Sequence, residues 1–135
     1  MIAIGSDHGG YALKQVIISH LADRGIEFRD FGTYSEESCD YPDFGEAAAR
    51  AVASGECERG IVICTTGIGI SIAANKVKGI RCAHCADSLE AEMTRRHNDA
   101  ICWPSARGSP ARTWRSGWWR CSSPRTLRVA GMSGA

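Results

Sequence analysis

The chain has 135 residues, room for one domain, and its 44% hydrophobic and 23% charged residues exclude a disordered chain. Lys plus Arg is 16 and Asp plus Glu is 15, so the net charge of +1 gives no whole-chain basic field and argues against nucleic acid as a partner. No apolar run approaches the roughly 18 residues of a membrane span, and residues 1–10 lack the basic start and apolar stretch of a secretory signal, so no membrane association is expected.

Ile2-Ala3-Ile4-Gly5 is a short apolar run closed by glycine and predicts a buried first strand. Residues 11–21 predict a helix with Leu13, Val16, Ile17 and Leu21 near one face, closed by Arg24-Gly25. Residues 26–31 predict a second strand. A polar loop over 38–43 leads into an Ala-rich helix at about 44–53. Residues 61–64 are apolar without alternation, as expected of a strand covered on both faces. Residues 67–76 turn into a helix, 79–83 predict a strand, and 87–96 predict a helix capped by Asp87 or Ser88. This βαβα order predicts an α/β fold, a mostly parallel sheet sandwiched by helices with right-handed crossovers.

The text changes character near residue 100. Residues 1–99 carry all 15 acids against 10 Lys plus Arg, whereas residues 100–135 carry six Arg and no Lys, Asp or Glu. All four Trp (Trp103, Trp114, Trp118 and Trp119) fall in that second part. The expected organisation is one well-specified unit over 1–100 followed by an anomalous tail over 101–135. Pro104 argues against an inner strand there. The tail is expected to be a poorly ordered appendage rather than a nucleic-acid surface.

Seven cysteines, at 39, 57, 64, 82, 85, 102 and 121, make an odd count with no repeated frame. They fit free thiols in a reducing cytosol, so a cytoplasmic location is expected. Cys82-Ala83-His84-Cys85 has metal-like spacing but lacks a second pair of ligands, and no metal is expected. His20 and His84 read as structural.

Ligands in open α/β sheets sit at the carboxyl ends of the strands. Three polar clusters fall at or near such ends. After the third predicted strand, Cys64 precedes the turn Thr65-Thr66-Gly67-Ile68-Gly69. Amide N–H groups in such a turn hold an anion and favour a thiolate. A thiolate beside backbone donors suits proton abstraction next to a carbonyl, or attack on phosphorus as in a thiolate phosphatase. The phosphatase reading lacks the expected arginine, because Lys76 is the first cation after the turn. An inert core cysteine is the plainer alternative. After the first strand, Asp7-His8-Gly9-Gly10 offers a hydroxyl-positioning or proton-shuttling acid and a phosphate contact; a loop cap with a surface histidine is the alternative. His97-Asn98 offers a ring-opening pair, or a histidine favoured by a helix C-terminus. Gly67-Ile68-Gly69 lacks the longer glycine fingerprint of a dinucleotide site.

Several segments together resemble the type B ribose-5-phosphate isomerase family, whose relatives include galactose-6-phosphate isomerase subunits and allose-phosphate isomerases. They are Gly5-Ser6-Asp7-His8-Gly9-Gly10, Asp40-Tyr41-Pro42-Asp43, residues 59–64, residues 66–76 and His97-Asn98-Asp99-Ala100. The resemblance covers residues 1–100. It implies a Rossmann-like three-layer αβα sandwich, a homodimer or tetramer of dimers, no cofactor, and a sugar phosphate substrate. The implied reaction interconverts ribose 5-phosphate and ribulose 5-phosphate in the pentose phosphate pathway. It further implies that Cys64 is the base, that Thr66, Gly67 and Gly69 hold the enediolate, that Asp7 positions a hydroxyl and that His8 contacts phosphate. Tyr41 would form a pocket wall, and His97 and Asn98 would open the sugar ring from the neighbouring subunit. Thr65 departs from the family, where many members have glycine. A six-carbon substrate (allose or galactose 6-phosphate) and a non-catalytic remnant are the alternatives.

The tail is the larger departure. The family continues after Ala100 with an apolar strand, an arginine loop, a long helix and phosphate-binding arginines. Arg125 and Arg128 lie near the end, but no periodicity positions them. With ATC for Ile101 and TGC for Cys102, residues 101–109 read two bases out of frame permit Leu-Leu-Ala, then Leu or Val, then Gly-Ala-Arg-Val. That is the strand and arginine loop of the family, so the tail is expected to be a frameshift product. Its loss of the native strand is expected to leave a sheet edge exposed.

Overall fold

The structure, a computed structural model, describes residues 1–85, 88–98 and 101–104. The elements alternate: β1 (Ile2–Ser6), α1 (Tyr11–Asp23), β2 (Phe28–Asp30), α2 (Tyr41–Ala53), β3 (Arg59–Ile63), α3 (Ile68–Asn75), β4 (Cys82–Cys85), α4 (Ser88–Met93) and β5 (Ile101–Pro104). A π-helical turn, Thr94–Asn98, extends α4. β1 pairs in parallel with β2 on one side and β3 on the other. β4 and β5 form a second parallel pair, and β5 lies beside β3.

Alternation along the strands builds two cores. Ile2, Ile4 and Ile63 point to one face, where Leu13, Ile17 and Leu21 of α1 cover them with Cys85. Ala3, Val62 and Cys64 point to the other, against Ala48, Ala49, Ala51 and Val52 of α2 and Ile70 and Ala74 of α3. Helices on both faces of a largely parallel sheet give the expected α/β sandwich. Cys57 belongs to the α2 core, and its burial raises the thiol above the usual range, while the N-terminal ammonium and Arg29 pull it down.

Several boundaries differ from expectation. α1 turns Lys14 inward instead of Val16, which is exposed. The Lys14 ammonium donates to Asp30 Oδ1 at 2.7 Å and to the Thr33 carbonyl, and it lies 5.4 Å from the Tyr34 ring centre, so its charge is met inside the fold. α2 starts at Tyr41 rather than 44: Pro42 is preorganised for a first helical turn, and Asp43 sits favourably against the helix dipole. β4 starts three residues later than the expected 79–83, because residues 76–81 are used to close α3 and turn the chain. Residue 101 begins a strand rather than a break. Ile101-Cys102-Trp103 supplies an apolar run, and Pro104 is the last residue of the ladder, where a missing N–H costs least. β4 therefore has β5 as a hydrogen-bonded neighbour on one side, where the sequence predicts a lost strand. Asp87, Asp99, Ala100, Arg125, Arg128, the remaining Trp and the rest of the tail lie outside the described residues. No helix among the described residues is long and apolar enough to cross a membrane.

Candidate active site

The sheet order β2-β1-β3 puts a switch point between β1 and β3, since α1 leaves β1 over one face and α2 enters β3 over the other. Ser6 pairs with Ile63 at the carboxyl ends, so the loops that begin at Asp7 and Cys64 emerge side by side. The Asp7 N–H donates to the Ile63 carbonyl at 3.1 Å and joins them directly.

In the first loop, Asp7 is buried and its Oδ1 accepts the Gly10 N–H at 2.9 Å. That bond pins the carboxylate through one of its two oxygens. His8 is exposed, and its Nδ1 accepts the Cys39 N–H at 3.2 Å. A ring nitrogen that accepts is unprotonated, so the proton of the neutral ring sits on Nε2. His8 thus presents a donor away from Cys39. Cys39, on the connection between β2 and α2, is a site neighbour that the sequence offered no reason to select.

In the second loop, Cys64 is buried and its Sγ accepts the Gly67 N–H at 3.1 Å. Gly67 has φ +77° at the start of α3, a conformation that turns its amide back toward the sulfur. Thr66 Oγ1 accepts the Ile68 N–H at 3.2 Å. Gly69 is tight against Tyr41, where an added Cβ would stand 2.9 Å from the ring Cζ. Tyr41 therefore walls the opening of α3, half-exposed beside the loop. Thr65, which stands where many members of the family have glycine, has its Oγ1 against the backbone of Gly9, which has no side chain to collide with it.

Thus Asp7, His8, Tyr41, Cys64, Thr66, Gly67 and Gly69 gather at one edge of the sheet. His97 and Asn98 lie on a different element. Both are exposed on the π-helical turn, and no hydrogen bond among the described residues ties either to the Cys64 loop. His84, read as structural, does reach the loop: its Nε2 is 2.7 Å from the Thr66 carbonyl. Among the described residues, no group of three or more His, Cys, Asp or Glu is placed to hold a metal ion.

A model of the Ribose/Galactose Isomerase family matches residues 2–104. Ribose-5-phosphate isomerase B of Escherichia coli K12 is 52% identical over 98 residues, 73% of this chain and 66% of that protein. The chain thus spans about two thirds of that curated relative's length. The solved ribose-5-phosphate isomerase B of Clostridium thermocellum is 64% identical with a TM-score of 0.74, covering 76% of this chain and 69% of that one. The Mycoplasma genitalium ribose-5-phosphate isomerase B, solved with bound ribulose-5-phosphate, is 37% identical with a TM-score of 0.75, covering 82% of this chain and 75% of that one. A cysteine at a strand end, a glycine turn folded onto its sulfur, and a match that runs unbroken from β1 to the end of β5 lead to one assignment: the chain belongs to the Ribose/Galactose Isomerase family.

Proposed function

We propose that the chain interconverts ribose 5-phosphate and ribulose 5-phosphate with Cys64 as the base. The observation that carries this reading is the Gly67 N–H on Cys64 Sγ, at the carboxyl edge where Asp7 also lies. The thiolate takes the proton from C2 of the open-chain aldose. The C2–H electron pair forms the C1–C2 double bond, and the carbonyl pair moves onto O1 to give the enediolate. A proton then passes from O2 to O1, the O2 pair forms the new carbonyl, and C1 takes the proton back from the Cys64 thiol. The glycine turn (Thr66, Gly67, Gly69) supplies donors to the developing charge, Asp7 Oδ2 orients a hydroxyl and His8 Nε2–H meets the phosphate.

His97 and Asn98 open the ring from a second copy of the chain. Their exposure on the π-helical turn, with no hydrogen bond to the Cys64 loop among the described residues, supports this, as do Ile68 and Ile72, one turn apart on α3 and each more than half exposed (54% and 55%). The substrate is read as phosphorylated, the assembly as a homodimer or larger, and the location as cytoplasmic. We read residues 1–104 as the isomerase unit, four residues beyond the sequence-based boundary, and the following tail as a frameshift product that the coding DNA would reveal as a displaced family text.

The test is ribulose 5-phosphate formation from ribose 5-phosphate by the full chain, with Cys64→Ala beside it. Cysteine-dependent turnover is expected. Turnover that survives Cys64→Ala overturns the base assignment, and cysteine-dependent turnover of galactose 6-phosphate alone moves the substrate to six carbons. No turnover of either sugar by the native chain favours the non-catalytic remnant, and release of inorganic phosphate favours the phosphatase.

A further inference from the structure

His84 lies on β4, where Cys82 packs with the α2–α3 core and Ala83 and Cys85 pack on the α1 side. Strand alternation places His84 on the same side as Cys82, toward α3. Two anchors tie this strand to that helix. At the C-terminal end of α3, the Asn75 amide donates to the Cys82 carbonyl at 2.9 Å and accepts the Cys82 N–H at 2.7 Å. At the N-terminal end, His84 Nε2 meets the Thr66 carbonyl at 2.7 Å. A carbonyl only accepts, so His84 carries a proton on Nε2 and donates it.

The Thr66 carbonyl and the Gly67 N–H belong to one planar peptide group. The oxygen end accepts from His84, and the N–H end donates to Cys64 Sγ. Rotation of this one plane breaks both bonds together. A donor on the oxygen also polarises the amide and strengthens its N–H as a donor. Gly67, at φ +77°, has no Cβ to restrict that rotation. The proton on His84 therefore does what a side chain at residue 67 does not.

We propose that His84 is a positioning residue for Cys64, acting through the Thr66–Gly67 peptide. It rests on the reading of Cys64 as the isomerase base. His84 touches no reacting atom; it keeps the Gly67 N–H aimed at the sulfur and the turn set for the enediolate. The ring is exposed, so water competes for the bond and the effect is modest.

The test compares His84→Gln with His84→Met. The two side chains have similar length, and the amide N–H of Gln is the difference that matters. Turnover of ribose 5-phosphate and the rate of Cys64 alkylation by iodoacetamide, read on its own peptide by mass spectrometry, are measured on the full chain. His84→Met is expected to lower kcat about fivefold, with KM within about twofold, and to change the Cys64 alkylation rate by about as much. His84→Gln is expected to stay within about twofold of the native chain in both. Thermal melts check folding, and if the Met variant does not melt cooperatively, His84→Glu replaces it, with the length of Gln and no N–H. Identical behaviour of the donor and non-donor variants overturns the proposal, as does an unchanged alkylation rate in both. The alkylation comparison needs no turnover. Survival of activity in Cys64→Ala therefore defeats the base assignment without deciding whether His84 positions the sulfur.

Discussion

At the scale of single residues, the turn after β3 is held by atoms that side chains do not supply. Gly67 stands at φ +77°, where an L side chain meets its own backbone. Gly67→Ala is expected to destabilise the fold by about 1–2 kcal/mol, read from urea unfolding. It also rotates the amide off Cys64 Sγ, so turnover is expected to fall about tenfold or more at saturating substrate. A variant that loses stability but keeps kcat would show that the Gly67 N–H is not needed by the sulfur. Cys64, Gly67 and Gly69 were legible because a buried strand ending in cysteine and glycines states where a loop must turn. His84 was not legible, because its partner is a main-chain carbonyl 18 residues earlier, and no spacing pattern encodes that contact.

At the scale of elements, apolar periodicity found the helices but misjudged how α1 is rotated. Leu13, Ile17 and Leu21 are buried as the 3.6-residue period requires. A hydropathy reading adds Val16 to that stripe, yet the buried neighbour is Lys14, whose stem packs inside and whose ammonium meets Asp30 and Thr33. Asp30 also accepts the Gly32 N–H at 2.8 Å, so the pair ties α1 to the end of β2 and to the connection that brings Cys39 to His8. Lys14→Met is expected to cost about 3 kcal/mol, because it strands a partly buried carboxylate. Adding Asp30→Asn is expected to recover part of that loss by removing the orphaned charge. Urea unfolding of the single and double variants measures both, and a double variant no more stable than Lys14→Met would mean that the ion pair is not what the fold loses. The strands were read with the same limits. β1 and β3 stand out by the apolar runs Ile2-Ala3-Ile4 and Ile61-Val62-Ile63, whereas β4 (Cys-Ala-His-Cys) carries a histidine and is tied by the Asn75 clamp. β5 was hidden by Pro104, which matters less at a strand end than within one.

At the scale of the whole molecule, the Cys64 loop and the His97 turn pose a problem of assembly. If one chain supplied both to one site, a second copy would be irrelevant to turnover. If each site takes Cys64 from one protomer and His97 from the other, a twofold dimer has two such composite sites. Two inactive variants can then complement. A mixed dimer of Cys64→Ala and His97→Ala protomers has one site with both residues native and one with neither. Random pairing of equal amounts makes half of all dimers mixed, so about a quarter of the native site count returns. Differently tagged protomers, expressed together and purified through both tags, enrich the mixed dimer and raise the recovery to about half. Activity in that fraction, with neither variant active alone, is the expected outcome. No recovery in a purified mixed dimer would put Cys64 and His97 of each site on the same chain. The experiment also bears on the tail, because dimers that assemble and complement do so with residues 105–135 attached, and the tail is then either tolerated or supplies arginines that suffice.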